Sequence, residues 1–146
     1  MKLDIDKQVL QSIYLHAEQS YPDECCGFFF GYEKENIRKI IQLKEVINNK
    51  EGDKRRRFEI NPLDYAKAEN YALENKLTLL GVYHSHPEHP AIPSEHDLKQ
   101  AMPFFSYIIV SVKGSKSVDV RSWQLNEDNG QFEEEEIIQE VTENIQ

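Results

Sequence analysis

The stretch that most narrows the fold is Thr78 to Tyr83 (Thr-Leu-Leu-Gly-Val-Tyr), an apolar run of strand length that leads straight into His84-Ser85-His86. Segments on both sides of it alternate between helical and strand-like patterns. Lys7 to Gln19 carries Val9, Leu10, Ile13, Tyr14 and Ala17 at helical spacing. Asp6 is placed to cap that helix, and Tyr21-Pro22 to end it, because the residue before a proline avoids the α region. Cys25 to Phe30 and Ile37 to Ile47 read as strands, and Arg57 to Ile60 as a third. Asn61-Pro62 then opens a helix, with Asp64 in its first turn. It should reach about Lys76, with Leu63, Ala66, Tyr71 and Ala72 among its apolar positions.

After the two histidines a loop containing Pro87, Pro90 and Pro93 leads to Ser94, which opens a short helix ending near Met102. Ser106 to Lys113 and Ser117 to Leu125 pair around Gly114, and the Asn129-Gly130 turn signal sends Phe132 to Ile138 back as an edge strand. Helices interleaved with strands predict a mixed α/β domain of α+β character: one central, mostly antiparallel mixed sheet flanked by helices. The 146 residues suffice for one domain over 1–146, with the tail from about residue 139 expected to fray.

Composition excludes several classes. Seventeen basic against 26 acidic residues give a net charge of −9, a field that repels phosphate backbones and disfavours nucleic-acid binding. No apolar run approaches the roughly 18 residues of a membrane span. The N-terminus MKLDIDKQVL has no apolar stretch like that of an export signal, so a cytoplasmic protein is expected. Cys25 and Cys26 are adjacent and are the only cysteines, which rules out a disulfide framework or a cysteine-based zinc knuckle. A thiol nucleophile is conceivable, but beside Gly27-Phe28-Phe29-Phe30 the pair reads as core packing. The basic run Lys54-Arg55-Arg56-Arg57 reads first as a solvated strand edge protected from pairing, and second as a docking patch for an acidic protein.

In a strand, residues two apart share a face, so His84 and His86 present two imidazoles together while Ser85 turns away. Two nitrogens begin a metal site, and a catalytic site needs a third protein ligand and an open position for water. Asp97 is placed to be that ligand, across a loop stiffened by its prolines. Taken singly, each residue has a plainer explanation. Histidines near a strand end are ordinary polar groups, Ser94 and Asp97 fit a helix capping box as well as a metal site, and Glu24 could be a surface carboxylate beside Asp23. His89 and His96 read as solvent-exposed.

Jointly, His84-Ser85-His86-Pro87, then Ser94 and Asp97, resemble the JAMM motif of the MPN+ metalloproteases. Pro22-Asp23-Glu24-Cys25-Cys26-Gly27 resembles that family's upstream Glu-x-Cys-Gly segment, and the likeness extends over roughly residues 5 to 138, including Pro103 to Val112 and Arg121-Ser122-Trp123. The resemblance implies an MPN/JAMM-like fold in which His84, His86 and Asp97 bind Zn²⁺. It implies Glu24 as general base and acid, and Ser94 as donor to the oxyanion. It further implies a zinc metallopeptidase, an isopeptidase that hydrolyses the amide bond after the Gly-Gly tail of a ubiquitin-like sulfur-carrier protein. Short bacterial members resemble the peptidase that frees cysteine from such a carrier. The alternatives are a non-catalytic MPN scaffold and a deubiquitinase-like isopeptidase. A nucleobase deaminase is excluded: His86-Pro87-Glu88 matches half of its signature, but the paired cysteines of the other half are missing. Oligomeric state is not readable from the sequence.

Overall fold

The structure, a computed structural model, describes residues 1–139. In chain order the elements are β1 (Lys2–Ile5), α1 (Lys7–Ser20), β2 (Cys26–Lys34), β3 (Ile37–Val46), α2 (Pro62–Glu74), β4 (Thr78–Pro87), α3 (Glu95–Gln100), β5 (Ser106–Lys113), β6 (Lys116–Asn126) and β7 (Gln131–Ile138). The predicted helix starts hold. Asp6 accepts a hydrogen bond from Gln8 N at 2.8 Å and Asn61 accepts one from Leu63 N at 2.9 Å, each satisfying a donor that the first helical turn leaves unpaired. The expected fraying from about residue 139 falls almost wholly outside the described residues.

The mixed content and the antiparallel majority are as expected, but the sheet is not an open layer with helices beside it. Its strands close into a barrel in the order β1-β3-β2-β4-β5-β6-β7. β1 makes the closure, pairing in parallel with β3 and with β7. Four residues are too few to show a period in sequence, yet Leu3 and Ile5 are fully buried. A barrel also removes the exposed edges of an open sheet.

Two apolar cores explain why the central strands are apolar throughout. Leu10, Ile13 and Ala17 of α1 pack with Leu3, Ile5, Phe29, Ile40, Leu80 and Tyr83. Ala68 and Ala72 of α2 pack with Phe28, Phe30, Leu79 and Val82. Consecutive phenylalanines of β2 thus enter opposite cores, as the two-residue period of a strand requires. The α2 face differs from expectation in part: Ala72 lies inward as expected, joined by Ala68, but Leu63 and Ala66 are exposed. Arg57 to Ile60 is not a strand either. Phe58 and Ile60 are buried in the second core, but the backbone there is held largely by the Asn48 side chain, which accepts from Glu59 N and donates to Arg57 O. Among the described residues no helix is long and apolar enough to cross a membrane.

Candidate metal centre

β4 runs through both histidines to Pro87, and its pairing with β5 continues through Pro87↔Val112, so the two imidazoles stand on rigid backbone. Their Nε2 atoms lie 3.1 Å apart. Asp97 Oδ2 completes the group, 3.4 Å from His84 Nε2 and 3.2 Å from His86 Nε2. Three donors at the corners of a tetrahedron around an ion at zinc–nitrogen and zinc–oxygen distances would be separated by about 3.3 Å. Three electron-rich atoms so crowded, with few protons to share, form a set that a cation relieves.

The ring orientations are set from behind. His86 Nδ1 faces the Pro90 carbonyl at 2.8 Å, so the proton belongs on Nδ1 and the Nε2 lone pair points into the group. His84 is stacked against Phe58 with ring centroids 4.4 Å apart, and its buried Nδ1 has no hydrogen-bond partner. The loop after β4 is pinned as well as stiffened. Glu88 Oε2 accepts from Tyr21 Oη and Gly114 N, Ser111 Oγ donates to His89 O, and Trp123 Nε1 donates to Ala91 O.

Asp97 belongs to a complete capping box: its N–H donates to Ser94 Oγ at 3.1 Å, while Oδ2 accepts from Ser94 N at 2.9 Å. Capping and facing the histidines are therefore not exclusive, since a carboxylate oxygen has lone pairs for both. Burial pushes the Asp97 carboxyl upward, but the adjoining histidines and the Ser94 N–H outweigh it and hold the group well below the usual carboxylate range. Burial also lowers His84, keeping its imidazole neutral. An ionised carboxylate beside a neutral imidazole is the protonation state that metal binding requires.

Glu24 is 5% exposed and offers a carboxylate oxygen within 4.8 Å of the ligand atoms of His84 and His86. Burial, then the charges of Asp97 and Asp53, push its carboxyl up to about 9. Its backbone is fixed on both sides: the N–H donates to Lys54 O at 2.7 Å, and the carbonyl accepts from Asn48 Nδ2 at 3.1 Å. The next residue is clamped too, because Cys25 N donates to Ser85 Oγ and Ser85 N donates to Cys25 O. Glu24, His86 and Ser94 line one cleft of about 540 Å³, together with Arg56, His89, Pro90 and Ile92.

All five residues singled out in the sequence (Glu24, His84, His86, Ser94 and Asp97) thus meet in one place. His89 is exposed as expected, whereas His96 is half-buried with its Nε2 unpartnered. Cys25 and Cys26 are buried, and burial raises the Cys25 thiol to about 12 and that of Cys26 further, which suits packing and not nucleophilic attack. The sequence reading missed Asn48, Phe58, Ser85 and Pro90, which hold the others. Only Phe58 carried a signal, as the apolar residue following a basic run.

Closed sheet, paired imidazoles and facing carboxylate together have a family. Residues 6–126 match the family described as prokaryotic homologues of the JAB domain, and the chain belongs to it. A desampylase of Pyrococcus furiosus is 32% identical over 87% of this chain and 84% of its own length. A probable TtuB-protein conjugate cleaving protease of Thermus thermophilus is 28% identical over 79% of this chain and 74% of its own. The solution structure of a Desulfitobacterium hafniense protein superimposes with a TM-score of 0.81 at 29% identity, covering 99% of this chain and 97% of that one. A JAB1/MPN domain protein from Archaeoglobus fulgidus shares the fold, with a TM-score of 0.56 at 20% identity over 93% of this chain and 99% of its own.

Proposed function

We propose that this chain is a zinc-dependent isopeptidase that hydrolyses the amide bond after the Gly-Gly tail of a ubiquitin-like sulfur-carrier protein. The observation that carries the reading is the convergence of His84 Nε2, His86 Nε2 and Asp97 Oδ2 within 3.4 Å of one another, beside a cleft lined by Glu24 and Ser94. His84, His86 and Asp97 would hold the ion. Zinc bound there supplies a Lewis acid that lowers the pKa of a water towards about 7 and favours ionisation of the neighbouring Glu24. The Glu24 carboxylate accepts the proton of the attacking water and returns one to the departing amine. Ser94 Oγ accepts from Asp97 N, so its own hydrogen remains available to donate to the oxyanion of the tetrahedral intermediate. Asp97 is assigned as ligand and Glu24 as base because Asp97 Oδ2 approaches both imidazoles as closely as a shared ion demands.

One relative is named a desampylase and another a probable TtuB-protein conjugate cleaving protease, and the second name favours a conjugate as substrate over a free peptide. A Gly-Gly tail has no side chains to clash in a narrow approach and can pair by its amides with a strand edge. The connections between the elements leave little room for large insertions that grip ubiquitin chains, so a small carrier, releasing an amino acid such as cysteine, is the preferred partner. A non-catalytic scaffold would have no use for a complete donor set beside a buried carboxyl. The test is mass spectrometry on a carrier–cysteine adduct, the same adduct with an Ala-Ala tail, and diubiquitin. Cleavage of the first alone supports the proposal. Preference for diubiquitin, or indifference to the tail glycines, overturns the substrate assignment.

A further inference from the structure

The Lys54–Arg57 run has no strand edge to protect, because residues 54 to 60 form a turn and an irregular segment. Four consecutive cations in a chain of net charge −9 therefore call for another explanation. Their own neutralisation is slight: among the described residues their one ion pair is Arg56 Nε to Asp53 at 3.9 Å, between side chains 77% and 58% exposed. Exposed pairs of this kind contribute little and hold no fixed geometry.

The position of the turn is what gives it a use. The Lys54 carbonyl accepts the Glu24 N–H, and Asn48 Nδ2 bridges the carbonyls of Glu24 and Arg57, so both ends of the run are tied to the carboxyl-bearing residue of the site. Arg56 lines the cleft with Glu24, His86 and Ser94. Lys54 lines a second cavity, of about 430 Å³, on whose wall Glu24 also lies, with Asp23 and Glu45. Cations thus stand on either side of Glu24, whose neighbours Asp23, Asp53 and Asp97 are acidic.

We propose that Lys54, Arg55, Arg56 and Arg57 form a docking surface for carboxylates of the protein conjugate, close to the tail that enters the cleft. The proposal deepens the conjugate-hydrolase reading and rests on it. A partner with acidic side chains beside its tail is steered to this positive patch on a chain of net negative charge, and a basic-flanked tail is turned away. Nucleic acid is the poorer fit, since the surrounding field repels a polyanion that must extend beyond four residues.

The experiment measures binding apart from turnover. A β-grasp carrier ending in Gly-Gly is made in two forms, with two glutamates or two lysines just before the glycines. Each is titrated by fluorescence anisotropy against Glu24→Gln enzyme, with and without the charge reversals Arg55→Glu, Arg56→Glu and Arg57→Glu, at low and high salt. The glutamate form should bind the Glu24→Gln enzyme on the order of tenfold more tightly than the lysine form, with the difference lost at high salt. The reversed enzyme should prefer the lysine form, a result that mere misfolding cannot give. Equal binding of both forms to both enzymes overturns the proposal, as does tighter binding of a single-stranded oligonucleotide than of the glutamate carrier. Binding as expected, with no release of cysteine by wild-type enzyme from either form when cysteine is amide-linked after its Gly-Gly, leaves the docking surface standing and removes the hydrolase reading.

Discussion

Glu24 is a residue whose chemistry departs far from its type. Buried, and facing the charges of Asp97 and Asp53, it is raised to about 9 in the metal-free protein. In an unfolded chain the same carboxyl titrates near its ordinary value of 4.5. Between those values the folded state binds the extra proton, so this group's contribution to stability is full below about 4.5 and falls as pH rises towards about 9. Denaturant titrations of metal-stripped wild type and Glu24→Gln should therefore diverge with rising pH, by up to about 1.4 kcal/mol per unit. Parallel profiles would place the carboxyl in water. The vicinal cysteines make the opposite case, of buried groups with no chemistry to do. Changing Cys25 and Cys26 both to Ser should cost roughly 1–3 kcal/mol by burying hydroxyls, while hydrolysis persists. A folded but inactive double variant would instead indicate a thiol mechanism.

At the scale of elements, the site is a strand end, a short capped helix and a loop fastened to each other. Asn48 does much of the fastening, with Nδ2 donating to Glu24 O and Arg57 O and Oδ1 accepting from Lys50 N and Glu59 N. Asn48→Ala should leave metal content unchanged, because His84, His86 and Asp97 lie on β4 and α3. It should lower kcat about tenfold or more by loosening Glu24. Undiminished kcat would show that the Lys54 and Ser85 contacts suffice. This division also explains what could be read in advance. The two histidines announce themselves because a strand's two-residue period and a helix's capping pattern are local, and Ser94 and Asp97 follow the same logic. Asn48, Ser85 and Phe58 act on residues 24, 25 and 84 through contacts that only the closed sheet creates, and no spacing in the chain encodes them. The short β1 was missed for the same reason, since its partners are β3 and β7, and Arg57 to Ile60 had the burial pattern of a strand without the pairing.

For the whole molecule, closure of the barrel is joined by a polar network across six strands, buried except at its exposed end, Glu33. Arg38 of β3 is 1% exposed, its Nε donates to Glu33 of β2, and its Nη1 donates to Leu80 O of β4 and Ser106 Oγ of β5. Ser106 and Ser122 of β6 both donate to Glu135 of β7. Removing one member strands the others without water, so Arg38→Ala should cost about 3–5 kcal/mol in denaturant unfolding. The same variant should keep its metal and activity under folding conditions, because the network lies away from β4's histidine end. Loss of less than about 1 kcal/mol would mean that solvent reaches these groups.

The central claim is that His84, His86 and Asp97 hold a zinc ion and that Glu24 works beside it without holding it. Elemental analysis of purified wild type, Glu24→Gln and Asp97→Ala tests this most directly. The account predicts about one zinc per chain in wild type and Glu24→Gln and a marked loss in Asp97→Ala. Equal zinc in all three proteins, or loss from Glu24→Gln with retention in Asp97→Ala, would contradict it.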